Sequence, residues 1–150
     1  MGAKLTRPEP PVLLFVEDNY DWMYIFRNEF QKTAPHWKIT CVPSGEAARD
    51  LLASEPAPQA LVADLKMPGM DGLELIAWVK EQPQFRFLPI VVLSNSDDPT
   101  HRQRSATLGV SSYLGKPASL KELREHIRYI VKLCETSRSF SQEWKEMSCV

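Results

Sequence analysis

Short apolar runs alternate along this chain with longer amphipathic stretches. Residues 12–16 (Val-Leu-Leu-Phe-Val), 60–63 (Ala-Leu-Val-Ala) and 90–93 (Ile-Val-Val-Leu) are unbroken apolar. A strand covered on both faces reads this way, as in a parallel sheet. Residues 37–42 mix Lys38 and Thr40 with apolar neighbours, which places a weaker strand nearer the sheet edge. A fifth short strand is expected over 110–114. Between these runs the period becomes helical. Asn19 caps a helix predicted to reach about Thr33, with Trp22, Ile25, Phe26 and Phe30 on its apolar side, and Pro35 stops it. Ser44 caps a second, through Ala47, Ala48, Leu51 and Leu52, which ends before Pro56 and Pro58. A third runs from about Asp71 to Glu81 with Leu73, Ile76, Ala77 and Val79 inward, and Pro83 and Pro89 then bracket a loop. Asp98 before Pro99 opens a polar, basic fourth helix (His101, Arg102, Arg104) that closes at Gly109. Ser119 and Glu122 form a capping box for the fifth, whose apolar face is Leu120, Leu123, Ile127, Ile130, Val131 and Cys134.

Strands alternating with helices predict an α/β fold with a parallel sheet wrapped on both faces. Residues 1–11 read as a flexible leader, 12–136 as the one domain, and 137–150 as a short C-terminal extension, open to helix, carrying Phe140, Trp144 and Met147. At 150 residues, 43% hydrophobic and 25% charged, the chain has material for one ordinary core. A net charge of −1 and scattered basic residues give no reason to expect nucleic acid or a membrane surface as partner. No apolar run approaches the roughly 20 residues needed to span a bilayer. Cys41, Cys134 and Cys149 are odd in number and widely spaced, which fits a reduced, cytoplasmic protein.

Chemistry concentrates where the strands end. Glu17 and Asp18 follow the first strand, Asp64 the third, Ser94 the fourth and Lys116 the fifth. In an open parallel sheet these carboxyl ends converge, and ligands bind there. Three gathered carboxylates repel one another and raise their own pKa values. A hard divalent cation such as Mg²⁺ resolves this, taking oxygen ligands and keeping several waters. A metal, a carboxylate nucleophile, a lysine and a hydroxyl together suit the uptake of a phosphoryl group.

These residues, in this order, resemble the receiver domain of two-component response regulators, the CheY-like proteins. The resemblance covers roughly residues 12–135. It rests on Glu17-Asp18, on Asp64 with Met67-Pro68-Gly69-Met70-Asp71-Gly72, on Ser94, and on Tyr113 with Lys116-Pro117. Small stand-alone receivers of the phytochrome-associated kind share such phrases as Leu93-Ser94-Asn95-Ser96-Asp97-Asp98 and Leu108-Gly109-Val110-Ser111-Ser112-Tyr113-Leu114. The resemblance implies a flavodoxin-like, doubly wound sheet of order 2-1-3-4-5 with five helices. It implies that Asp64 accepts phosphate from a sensor histidine kinase. Asp18 would bind Mg²⁺ directly and Glu17 through water, with Asp64 and the Lys66 backbone carbonyl completing the protein's ligands. Lys116 would hold a phosphoryl oxygen, Ser94 would move toward it, and Tyr113 would swing inward. The signal would leave through a downstream protein target or a homodimer, with no enzymatic turnover. Ser94 stands where Thr is commoner, Lys66 lies where side chains screen the phosphoryl group, and Gly115 loosens the strand end before Lys116.

Rival readings stand beside this one. A phosphatase of the haloacid dehalogenase type also uses an Asp nucleophile but wants a second Asp two residues on, where this chain has Lys66. A flavin or nucleotide binder needs a Gly- or Ser/Thr-rich loop after the first strand, where Glu17-Asp18 would repel phosphate. A silent receiver would keep the fold as an interaction module only. Asp71 and Asp98 read as helix caps, Trp22, Trp37 and Trp78 as packing, and Arg102 and Arg104 as a solvated face.

Overall fold

The computed structural model describes residues 9–95 and 97–148, and side-chain surroundings as far as Thr136. Its strands are β1 (Val12–Val16), β2 (Lys38–Val42), β3 (Ala60–Ala63), β4 (Ile90–Leu93) and β5 (Ser112–Leu114). They form one parallel sheet in the order β2-β1-β3-β4-β5, the flavodoxin-like arrangement expected. The half-exposed pattern of β2 follows from its edge position. The helices are α1 (Tyr20–Thr33), α2 (Gly45–Ser54), α3 (Gly72–Glu81), α4 (Pro99–Thr107) and α5 (Leu120–Ser148), and a 3₁₀ turn spans Pro83–Phe85 where the sequence reads as loop.

Alternation along each strand sends successive side chains to opposite faces. Leu13, Phe15, Val62, Val91 and Leu93 pack under α1 and α5, with the Phe15 ring 4.1 Å from that of Phe26. Leu14, Val16, Leu61, Ala63 and Val92 pack under α2 and α3. The caps are those expected: Asn19, Ser44, Asp71 and Asp98 each accept from a first-turn backbone N–H.

Some positions differ. Ile25 and Leu120 are 41% and 48% exposed, because the core-facing stripes run through Met23, Phe26 and Phe30 on α1 and through Leu123, Ile127 and Ile130 on α5. Glu29 is buried on the α1 stripe and is held by Arg124 Nε at 3.0 Å. Leu75 is fully buried in α3, a position outside the inward set read from the sequence, whereas Ala77 is half-buried. Strand β5 starts two residues later than expected, at Ser112, after a turn in which Val110 N–H donates to Ser105 O. Helix α5 is continuous for 29 residues, so the last helix and the segment read as a separate extension form one element. The side chains of Phe140, Trp144 and Met147 lie outside the described residues. Among the described residues no helix is long and apolar enough to cross a membrane.

Candidate functional site

Strands β1 and β3 are neighbours in register, with Val16 opposite Ala63, so the residues just past them meet at one rim. Strand order reverses there, at the place where open α/β sheets bind ligands. Backbone bonds fix the exits: Asp64 N–H donates to Val16 O (3.2 Å) and Glu17 N–H to Val42 O (3.1 Å). One carboxylate oxygen each from Glu17, Asp18 and Asp64 lies within 4.8 Å of the other two. Glu17 is 1% exposed and Asp64 5%, while Asp18 is half-buried. Lys116, from the loop after β5, reaches in between them. Its Nζ is 3.1 Å from Asp64 Oδ2 and 3.3 Å from Glu17 Oε2. The Trp22 ring lies beneath this ammonium, its centroid 5.8 Å away.

Burial, and then the charge of Asp64, push the Glu17 carboxyl up to about 7, against the opposing pull of Lys116 and of the Asn19 N–H. Burial alone would lower the Lys116 ammonium, but Asp64 and Glu17 together outweigh it and raise the pKa above its usual value. Glu17 Oε1 accepts from Asn19 N–H at 3.2 Å. Glu17 Oε2 is buried and close to Lys116 but out of line for a hydrogen bond, so it has no proper donor. Hard oxygen donors, one cation among three acids and a buried carboxylate oxygen left unsatisfied fit a hard divalent ion such as Mg²⁺.

The loop that carries Asp64 is built to hold it. Asp64 Oδ1 accepts from Leu65 N–H (2.7 Å) and Lys66 N–H (3.4 Å). Gly72 N–H donates to Leu65 O at 3.0 Å, and a Cβ at Gly72 would collide with Asp64 O and lie 2.8 Å from Leu65 Cα. Gly69 turns the chain at φ 75°, a left-handed conformation that favours glycine. Glu46 on α2 reaches across to this turn, and its Oε1 accepts from Met70 N–H at 2.6 Å. That backbone bond, the largest of several influences, lowers the Glu46 carboxyl pKa. Sequence reasoning missed Glu46, which looks like any first-turn acid of a helix.

Ser94 directly follows β4, is 2% exposed, and its N–H donates to Leu114 O at 3.0 Å. Tyr113 pairs with Val92 across the sheet edge and is half-buried. The Arg102 guanidinium sits 4.5 Å from the Tyr113 ring centre, so this arginine does more than solvate α4. Lys66 is exposed and lines a cleft of about 410 Å³ with Met67, Pro68 and His101. Glu17, Asp18, Asp64 and Lys116 therefore form one cluster; Ser94 directly follows β4 and Tyr113 lies on β5, the two strands that complete the sheet beside it.

A parallel sheet of this order with acids and a lysine gathered at its switch point defines the class of doubly wound α/β domains with a charged site at the rim. Residues 13–128 match the response regulator receiver domain, and the chain belongs to that family. It is 32% identical over 149 residues to the sensor histidine kinase TmoS of Ectopseudomonas mendocina, covering 98% of this chain and 15% of that protein. The chain thus spans a small part of that relative. Among solved structures, the phosphorylated cyanobacterial phytochrome response regulator RcpA superposes with a TM-score of 0.74 at 27% identity, covering 80% of this chain and 90% of that one. The Mn²⁺-bound response regulator Rcp1 gives 0.73 at 28% identity, covering 81% and 91%. The protein is a receiver domain of the two-component signalling type, a signalling module by family.

Proposed function

We propose that Asp64 accepts a phosphoryl group from a phosphohistidine of a sensor histidine kinase, in a Mg²⁺-dependent reaction, and that the phosphorylated chain signals through protein contacts. The observation that carries this reading is the meeting of Glu17, Asp18 and Asp64 oxygens within 4.8 Å, with Lys116 Nζ 3.1 Å from Asp64. A carboxylate oxygen of Asp64 attacks phosphorus, the donor's P–N bond breaks, and its electron pair stays on the departing imidazole as the acyl phosphate forms. Asp18, Glu17, Asp64 and the Lys66 carbonyl would hold the cation, which supplies charge neutralisation at the transferring group. Lys116 holds a phosphoryl oxygen, and Ser94 donates its hydroxyl to another. Tyr113 follows Ser94 and alters the surface made by α4, β5 and α5. The phosphorylated RcpA and Mn²⁺-bound Rcp1 relatives support both halves of the proposal. We place the chain in the cytoplasm, with a downstream protein or a second copy as receiver of the signal.

Incubation with acetyl phosphate and Mg²⁺, read by intact mass, tests it. Wild type gains one phosphoryl group and Asp64→Asn gains none. Equal gain by both, or none by wild type, overturns the assignment. Steady hydrolysis of a generic phosphoester would point to the phosphatase reading.

A further inference from the structure

We propose that His126 is a positioning residue for Lys116, a role that rests on reading Asp64 as the phosphoacceptor. Lys116 sits in a weakly restrained segment. Strand β5 is three residues long and ends at Leu114, one residue short of Gly115. Gly115 is neither at positive φ nor near any atom that a Cβ would meet within 4 Å. Neither sterics nor backbone conformation demands glycine there, and its presence adds freedom next to the lysine.

Helix α5 supplies the restraint from both sides of Lys116. On the near side, His126 Nε2 lies 3.0 Å from Gly115 O. A carbonyl only accepts, so Nε2 carries the proton in this contact. On the far side, Ala118 N–H donates to Glu122 Oε2 at 3.3 Å, and Glu122 N–H in turn donates to Ser119 Oγ at 3.1 Å. Glu122 Oε1 also stands 3.9 Å from His126 Nε2, one helical turn away. The imidazole is largely covered, its side chain 20% exposed. Residues 115 and 118 are therefore pinned to the first two turns of α5. Lys116, between them, is aimed over the Trp22 ring at Asp64 and Glu17. His126 touches no reacting group; it acts by fixing where the lysine's backbone starts.

The test uses the full chain with isotope-labelled lysine, metal-free, with the Lys116 side-chain NMR signal assigned through Lys116→Arg. In wild type that signal stands apart from those of exposed lysines. His126→Ala moves it toward them, and His126→Gln, which keeps a donor, holds it in place. Gly115→Ala fits the open space and stiffens the loop, so in the His126→Ala background it restores the signal. With acetyl phosphate and Mg²⁺, His126→Ala lowers the rate of adduct formation about threefold to tenfold, the reach of one hydrogen bond, and Gly115→Ala recovers part of it. Should His126→Ala fail to fold, His126→Asn, polar but too short to reach, answers the same question. A Lys116 signal unmoved by loss of His126, or a double variant no better than the single, overturns the proposal. If wild type forms no adduct, the phosphoacceptor reading falls, and the lysine signal alone then decides whether His126 positions Lys116.

Discussion

A methyl group is too much at position 72. The Gly72 backbone passes so close to Asp64 O and Leu65 Cα that any side chain must push the loop that carries Asp64 outward. We expect Gly72→Ala to cost about 1–3 kcal/mol, typical of overpacking against rigid neighbours, and to slow adduct formation on Asp64 as well. Denaturant unfolding and intact-mass kinetics on the same sample check both. A variant as stable and as reactive as wild type would refute the close approach. In the sequence, Gly72 stands only as the last residue of the run Met67-Pro68-Gly69-Met70-Asp71-Gly72, because the demand comes from a contact across the loop and not from backbone dihedrals. Glu46 and Arg102 were illegible for a related reason. Their partners, Met70 N–H and the Tyr113 ring, lie on other elements, and no local pattern marks them. Glu17, Asp18, Asp64 and Lys116 were legible because each directly follows a strand or lies just beyond one. Parallel topology then brings such positions together.

At the scale of the element, β3 and β4 match their unbroken apolar runs residue for residue, since a strand buried on both faces has no polar position to blur its ends. Helix starts were as clear, each marked by a capping side chain. Helix faces were read less well. Helix α1 buries Met23 and Glu29 but leaves Ile25 largely out, and hydropathy alone cannot tell which flank of an apolar stripe meets the sheet. The tail, open to helix in the sequence, continues α5 through Ser148, since no glycine or proline follows Cys134 to stop a helix. The described core contacts of α5 end at Cys134, which is fully buried and whose thiol burial pushes up to about 12. We expect a chain ending at Thr136 to keep a cooperative thermal transition. Loss of that transition would place part of the core's support in residues 137–150.

Across the whole molecule, the acid cluster ties stability to pH. Glu17 in the folded state titrates near 7, above its ordinary 4.5. Between those values the folded chain keeps a proton that the unfolded chain has lost, so the metal-free protein loses stability as pH rises through that window. Lys116 changes stability in the same direction over a higher window: its raised pKa stabilises the fold below its ordinary 10.5, and that gain is lost as pH rises through the higher folded value. Glu17→Gln should flatten the loss between pH 4.5 and 7 in thermal unfolding with a chelator present. Mg²⁺ should raise the wild-type midpoint more at about pH 8 than at about pH 5, because the ion competes with the Glu17 proton. A midpoint shift independent of pH would mean that the ion binds elsewhere.

In the proposed function one carboxylate, Asp64, carries a labile acyl phosphate whose formation needs the divalent ion. Borohydride reduction after treatment with acetyl phosphate, followed by peptide mapping, measures this directly, since an acyl phosphate is reduced to the alcohol at its own position. We expect homoserine at position 64 in the Mg²⁺ sample and intact aspartate at every position in the chelated one. Reduction at Glu17 or Asp18 instead, at no acid, or equally without the ion would contradict it.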